Sequence, residues 1–181
     1  MSNVNINGSW VSPASYQKAR NLAASKAESG NTSARSILGS IRQMVPGLNI
    51  STNTEPFGSS GLNNLGIHPN VLRKMENDPE EMVRFKALIL DVEEAFRHHD
   101  RLSQSQGMNV VARGLIIDAD GNTSGWSIVQ SANGGPDRRN VVDLNNNDGL
   151  SVFERMRLIL EELAEKRAER EAEDSSRSWV G

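Results

Sequence analysis

Oxygen-bearing side chains recur at calcium-loop spacing in the stretch VVDLNNNDGLSVFE, residues 141–154. A calcium EF-hand loop places oxygen ligands at its positions one, three, five and nine, and a bidentate glutamate at position twelve. Counted from the first aspartate, those positions hold Asp143, Asn145, Asn147, Ser151 and Glu154. The spacing therefore makes these five residues the candidate metal ligands, with calcium as the candidate cofactor.

The same stretch departs from a calcium loop at two points. The sharp bend at position six requires glycine, whereas that position holds Asp148 and the glycine follows at Gly149. The preceding residues SANGGPDRRNVV also make a poor entering helix. Ser151 and Glu154 instead have the spacing of a capping box before an apolar helix. We therefore interpret the stretch mainly as a strand-to-helix junction and keep calcium binding as the alternative.

Two further polar clusters have simpler structural interpretations. The segment Asp118–Asn122 resembles an ion loop, but no glutamate follows at the required offset and a strand begins at once, so we predict a hairpin turn. In the pair His98-His99, neighbouring helical residues point about 100° apart, which does not suit one metal ion. His99 continues an apolar stripe and is predicted to be a half-buried core residue. No catalytic residue is predicted, since the sequence lacks a P-loop, G-x-S-x-G and H-E-x-x-H.

Composition excludes several classes of function. The chain has 181 residues, a net charge of −3 and no cysteine. Without cysteine there are no disulfides, zinc–thiolate sites or cysteine nucleophiles, and the net charge gives no reason to expect nucleic acid as a partner. No apolar run is long enough to span a bilayer. We predict a cytoplasmic protein, with export without a cleaved signal peptide as the alternative.

The composition changes near residue 66. Residues 1–66 contain 12 Ser, 9 Asn and 7 Gly but only two acidic residues, which favours a largely flexible leader because little apolar surface is available for burial. Two short helices are expected within the leader, one that starts at Ser12-Pro13 and one over residues 37–45 that docks on the body. The leader also resembles, in composition, the uncleaved export signals of type III and flagellar secretion.

The rest of the chain has the signals of a globular α+β domain. A short helix opens at His68-Pro69, and Asp78-Pro79 starts a long amphipathic helix that ends near Ser105. Turn residues separate two strands of a hairpin, a third strand follows, and a C-terminal helix ends in a charged part without an apolar face. These elements are expected at residues 108–118, 126–131, 139–144 and 151–174.

We predict an α+β fold in which a small antiparallel sheet of about three strands is packed by the long central helix and the C-terminal helix. The domain organisation that follows is a flexible leader over residues 1–66, a globular domain over residues 67–164, and a projecting charged helix end and tail over residues 165–181.

Two separated motifs carry a family resemblance. The runs IHPNVLRKMENDPE and GLIIDADGNTSGWSI occur in this order over residues 67–131. They resemble a family of uncharacterised Firmicutes domains that share an N-D-P-E helix start and an I-I-D-x-x-G-x-x-S-x-W-S-I hairpin. The resemblance implies a bacterial source and a recurring domain, and it implies no activity, ligand or catalytic residue.

The functional expectation is a non-enzymatic bacterial interaction protein whose partner is another protein, with secretion or an appendage as a further expectation from the leader. A calcium-binding module centred on residues 143–154 is the alternative, and an enzyme of unrecognised class is the second alternative. The sequence predicts neither the identity of the partner nor the oligomeric state.

Overall fold

The computed structural model describes residues 3–6, 9–27, 33–105, 107–131, 138–144, 150, 154–155, 157–159, 161–162, 165–166 and 169. The elements within them are β1 (Val4–Ile6), β2 (Ser9–Val11), α1 (Pro13–Ala27), α2 (Ala34–Met44), β3 (Asn49–Ser51), β4 (Asn64–Ile67), α3 (Pro69–Asn77), α4 (Pro79–Ser105), β5 (Met108–Ile117), β6 (Thr123–Ser131) and β7 (Arg138–Asp143). Helical residues follow at 154–155, 157–159, 161–162, 165–166 and 169. No helix in this described part is both long and apolar enough to cross a bilayer.

The main sheet has five strands in the order β3-β4-β5-β6-β7, and β1 and β2 form a separate hairpin. Strands β3, β4 and β5 are parallel, whereas β5, β6 and β7 are antiparallel. The prediction of the α+β class and of the three strands β5, β6 and β7 is confirmed. The prediction of a small antiparallel sheet of about three strands is wrong, because the sheet has five strands and is partly parallel. The two additional strands contain three and four residues, which is too short for a recognisable alternation of apolar and polar side chains.

The two consecutive helices α3 and α4 begin at the predicted residues. His68 caps α3, since its ring Nδ1 accepts a hydrogen bond from the Asn70 N–H at 3.1 Å. Asp78 caps α4 in the same way, and its Oδ1 accepts from the Glu80 N–H at 2.8 Å. Each cap is followed by proline at the first helical position, where no intrahelical donor is lost. The local sequence alone therefore defines this junction.

Helix α4 is buried on more than one side. It contacts β5 of the main sheet, and it also contacts α1, β1 and β2. All eight residues from 85 to 92 are buried, including Lys86 and Asp91 outside the predicted apolar stripe. The predicted stripe itself is confirmed, since its members Met82, Phe85, Ile89, Val92, Phe96 and His99 are all buried. A helix enclosed in this way is the centre of the molecule rather than a cover for one sheet face.

The described residues of the leader differ from the flexible segment expected from composition. Val11 and Ala19 are fully buried in the main core, as are Ile37 and Ile41 of α2. Strand β3 also lies within residues 1–66 and belongs to the main sheet. Composition misses this packing because a few well-placed apolar residues bury a segment that is otherwise polar. The two predicted leader helices are confirmed as α1 and α2, while the division of the chain into three domains stays a prediction.

Candidate functional site

The five residues predicted as calcium ligands lie only partly within the described structure. Asp143 ends β7. Glu154 is helical and half-buried, and its Oε2 accepts a hydrogen bond from the amide Nδ2 of Asn3. Among the described residues no three His, Asp or Glu side chains are grouped to hold a metal ion. Calcium binding stays a prediction, because the remaining candidates Asn145, Asn147 and Ser151 lie outside the described residues.

The segment Asp118–Asn122 forms the predicted hairpin turn between β5 and β6. One carboxylate oxygen of Asp118, Oδ1, accepts hydrogen bonds from the backbone N–H groups of Asp120, Gly121 and Asn122 at 2.9, 3.0 and 2.9 Å. Partial burial acts to raise the pKa of Asp118, but these bonds and one from the Asn122 side chain outweigh it and hold the pKa below its ordinary value. The carboxylate of Asp118 therefore stabilises the backbone of the turn.

A buried guanidinium, Arg113, joins the sheet to helix α4. Its Nη1 and Nη2 donate to the two carboxylate oxygens of Asp100 at 2.6 and 2.8 Å. Its Nε and Nη2 donate to Oδ1 of Asn63 at 3.1 and 2.5 Å, and Nη1 also donates to the Phe96 carbonyl at 2.8 Å. The guanidinium further lies 4.7 Å from the centre of the Phe96 ring. All five N–H groups of the guanidinium are used. The cluster of Arg113, Asp100, Asn63 and Phe96 therefore has a structural role, because it joins β5 to α4.

His99 belongs to the same cluster and is only 6% exposed. Burial, and next the charge of Arg113, lower its pKa to about 4, so the ring is neutral at neutral pH. Its Nδ1 lies 3.4 Å from Nη1 of Arg113. The prediction of a core histidine is confirmed. Sequence reasoning missed Arg113, although a single charge inside the apolar run VVARGLII was the available signal.

Two open clefts are present in the described part of the chain. One, of about 520 Å³, lies where α3 meets α4, and the other, of about 790 Å³, lies beside β3. Neither is lined by the buried titratable residues Asp91, His99 or Arg113. An active site normally brings titratable groups with shifted pKa values into a cleft. The clefts therefore add no support for an enzyme, and a non-enzymatic role stays a prediction.

The sheet face opposite α4 carries a partly exposed aromatic and apolar patch. Phe57 packs edge-on against Trp126, with ring centres 5.4 Å apart, and the guanidinium of Arg139 lies 5.5 Å from the centre of the Phe57 ring. Ile128 is half-buried and Val141 is 54% exposed. We name these five residues the Trp126 surface.

Strand register places the Trp126 surface at one border of the sheet. Trp126 on β6 is paired with Val141 on β7, and Ile128 is paired with Arg139. Directly opposed residues of antiparallel strands lie on the same face. On the inner side, Trp126 lies over Gly114, where an added Cβ would meet the indole Nε1 at 2.5 Å. The aromatic ring is thus held flat on the sheet, and the exposed part of the surface lies toward β7.

Strand β7 also presents a sheet edge. It is the last strand in the order of the main sheet, and no described strand pairs with its outer side. The strand contains six residues, whereas the opposite edge strand β3 contains three. A long unpaired edge exposes backbone N–H and C=O groups to which another strand can bind. The Trp126 surface and the edge of β7 together form a continuous candidate interaction site.

Comparison with known proteins leads to one family. No curated protein matches the chain, and no solved structure matches it. Residues 49–178 match the model of a family described as protein of unknown function, DUF6033. The match extends on both sides of the resemblance expected over residues 67–131, and it begins at the first residue of β3. The expectation of an uncharacterised family is confirmed, whereas the Firmicutes origin stays a prediction; the chain belongs to the DUF6033 family.

Proposed function

We propose that this protein is a non-enzymatic interaction module that binds a protein partner through the Trp126 surface and the edge of β7. The observation that carries the proposal is the continuity of the two features, since the exposed Val141 belongs to both. Aromatic and arginine side chains are enriched in the centres of protein interfaces. Phe57, which is half-buried and packs on the buried Trp126, and the exposed Arg139 provide one of each.

The geometry favours an extended partner segment. In strand addition, main-chain hydrogen bonds give affinity, and alternate side chains of the added segment contact one face of the sheet. A segment added beside β7 would place its alternate residues next to Val141 and Arg139. We expect apolar residues opposite Val141 and acidic residues near Arg139, because the latter is an exposed cation at the border of the sheet.

Selection from a library of unstructured peptides tests this proposal. We expect the selected peptides to alternate apolar and acidic residues and to shift the backbone amide resonances of β6 and β7. The substitution Val141→Lys should weaken their binding roughly tenfold or more, because it places a charge in the apolar contact. Val111→Lys is the matched control, since Val111 is an apolar strand residue with a similar exposure of 46%.

Two outcomes would contradict the proposed site. Peptides that bind Val141→Lys as tightly as the original protein, or that shift only resonances outside β6 and β7, would reject the proposed site. The same protein sample allows a check of folding, because circular dichroism of the two lysine variants should match that of the unsubstituted chain.

A further inference from the structure

We propose that the partner at the edge of β7 is a second copy of this chain, paired antiparallel so that Val141 lies opposite Val141 of the second copy. The proposal rests on the proposed function, because it assigns an occupant to that same site. A twofold axis perpendicular to the sheet passes through the Val141 pair. The result is a closed dimer in which the two main sheets join into one.

The charge pattern of β7 is complementary to itself in this register. The strand reads Arg-Arg-Asn-Val-Val-Asp from Arg138 to Asp143. With Val141 at the twofold axis, Arg139 is opposite Asp143 of the second copy, and the same pair occurs twice. Opposite charges directly across an antiparallel pair are stabilising, and like charges are destabilising. One strand therefore supplies both halves of the interaction.

Other registers that keep the same faces together fit less well. A shift that centres the axis on Arg139 sets two arginines against each other. A shift to Asn140 or Val142 removes the Arg139–Asp143 pair and leaves Val141 opposite a charged residue. Moving the axis by one residue shifts the pairing of the two strands by two residues, and only such even shifts preserve the faces of the sheet. The choice among registers is therefore small. The arrangement centred on Val141 is the one that pairs both the charges and the apolar residues.

The apolar row on the sheet face supports the same register. Within one copy, Gly114, Trp126 and Val141 are consecutive partners across β5, β6 and β7. Dimerisation would continue this row through Val141 of the second copy and then its Trp126. The exposed side chain of Val141, at 54%, would be covered by its own equivalent, which accounts for an apolar residue at the centre of a sheet edge.

The first experiment measures mass against concentration. Sedimentation equilibrium of the full chain should show a monomer that becomes a dimer between about 1 µM and about 1 mM, a range expected for a small interface. Arg139→Asp and Asp143→Arg should each weaken dimerisation roughly tenfold or more. Arg97→Asp is the matched control, since Arg97 is exposed on α4, and it should dimerise like the unsubstituted chain.

Mixing the two charge variants tests the register itself. In a mixed dimer, the aspartate introduced at position 139 of one chain faces the arginine introduced at position 143 of the other. The unsubstituted Asp143 of the first chain then faces the unsubstituted Arg139 of the second. Both pairs are opposite in charge, so the equimolar mixture should form a heterodimer at concentrations at which each variant alone is a monomer. A mixture that remains monomeric, or single substitutions that leave the dimer unchanged, would overturn the proposal.

A covalent readout is independent of affinity. The chain contains no cysteine, so Val141→Cys introduces a single thiol. Directly opposed residues of antiparallel strands lie at a Cα distance that a disulfide can span. Mild oxidation should convert Val141→Cys into a disulfide dimer and leave Val111→Cys monomeric. Equal yields of cross-linked dimer from both variants would contradict the register.

The two proposals fail in different ways. If the unsubstituted chain stays monomeric over the whole concentration range while selected peptides bind β7, the second copy is wrong and the interaction site stands. If the chain dimerises without sensitivity to Arg139, Val141 or Asp143, the dimer uses another surface and this inference is wrong. If the peptides bind elsewhere and no β7 dimer forms, both proposals fall.

Discussion

Arg113 and Asp100 form a pair whose two members differ in exposure. The Arg113 side chain is 2% exposed, whereas that of Asp100 is 38% exposed. A buried cation without its acceptors is costly, while a carboxylate that already contacts water can be hydrated when its partner is removed. The two residues therefore contribute unequally when each is replaced alone.

Asp100→Ala should lower the free energy of unfolding by about 3 kcal/mol, because it leaves the guanidinium of Arg113 in the core with fewer acceptors. Arg113→Met should cost less, since methionine fills most of the same volume and Asp100 remains hydrated. Urea denaturation of both variants checks the order of the two losses. A larger loss for Arg113→Met would show that the hydrogen bonds of the guanidinium to Asn63 and the Phe96 carbonyl contribute more than its pairing with Asp100.

His99 should make the protein less stable in acid. Its pKa is about 4 in the folded state and 6.5 ordinarily, so its stabilising contribution is fully present above pH 6.5 and is lost as the pH falls toward 4. His99→Asn keeps a polar group and removes the titration, so the free energy of unfolding should vary less over this range. Urea denaturation at several pH values measures both slopes. Parallel curves would contradict the assignment.

The capping-box interpretation predicts that calcium does not bind at Glu154, whose carboxylate also accepts a hydrogen bond from the amide of Asn3. Isothermal titration with calcium up to about 1 mM, where even weak calcium sites fill, is therefore expected to release no heat of binding. Glu154→Gln is the control. Heat that appears with the unsubstituted chain and disappears in this variant would restore the calcium loop.

Among the elements, helix α1 is attached to α4 by a buried carboxylate. Oδ2 of Asp91 accepts from the Ser12 N–H at 2.9 Å, and Oδ1 accepts from the Ser12 hydroxyl at 2.7 Å. Burial raises the pKa of Asp91, although the bonds from Ser12 act in the opposite direction. Ser12 precedes the first residue of α1, so this contact holds the start of the N-terminal helix against α4.

Asp91→Ala should lower the free energy of unfolding by about 1–3 kcal/mol, because two donors of Ser12 lose their acceptor. Hydrogen exchange should become faster in α1 and remain slow in β5. The raised pKa also makes the free energy of unfolding depend on pH in a defined direction. The contribution of Asp91 is fully present below the ordinary pKa of 3.8 and is lost as the pH rises through the pKa of the folded state. Asp91→Asn should remove that dependence. Unchanged exchange in α1 would refute the attachment.

The elements with local signals could be predicted from the sequence. Asp78-Pro79 defines the start of α4, its three- and four-residue apolar spacing defines its extent, and the turn after Asp118 defines the hairpin. Each signal lies within a few residues of the structure that it specifies. The face of β6 that carries Trp126 is likewise encoded locally, since Trp126 and Ile128 alternate with serine and valine.

The elements that depend on distant partners could not be predicted. Asn64 of β4 pairs with Gly114 of β5, fifty residues later in the chain, and neither strand signals the other. The packing of α1 on α4 depends on Asp91, which a helical pattern assigns to the solvent face. Export through the leader stays a prediction, and in the described structure it would require this contact to open.

At the scale of the whole molecule, the connection from β3 to β4 crosses the sheet on the face that carries the Trp126 surface. An added Cβ at Gly66 would collide with the backbone carbonyl of Asn53, which crosses β4 at this point. The same connection carries Phe57 to Trp126. Asn63, near its end, bonds Arg113 on the α4 side. The Trp126 surface is therefore positioned by residues from both faces of the sheet.

Gly66→Ala should consequently disturb the Trp126 surface from a distance. The methyl group displaces the Asn53 backbone, and the shift is transmitted to Phe57 through the same connection. We expect a loss of about 1–3 kcal/mol in the free energy of unfolding and a change in tryptophan fluorescence. Gly39→Ala is the control, because nothing lies within 4 Å of a Cβ at Gly39. Equal behaviour of the two variants would disprove the close crossing.

The contact between α1 and α4 has a practical consequence for producing the protein. A gene fragment trimmed to the family match, residues 49–178, would omit Ser12 and the buried Val11 and Ala19. The side of α4 beneath them would then face water with the Asp91 carboxylate lacking both Ser12 donors. Such a fragment should accumulate in inclusion bodies, whereas the 181-residue chain should remain in the soluble fraction of the lysate.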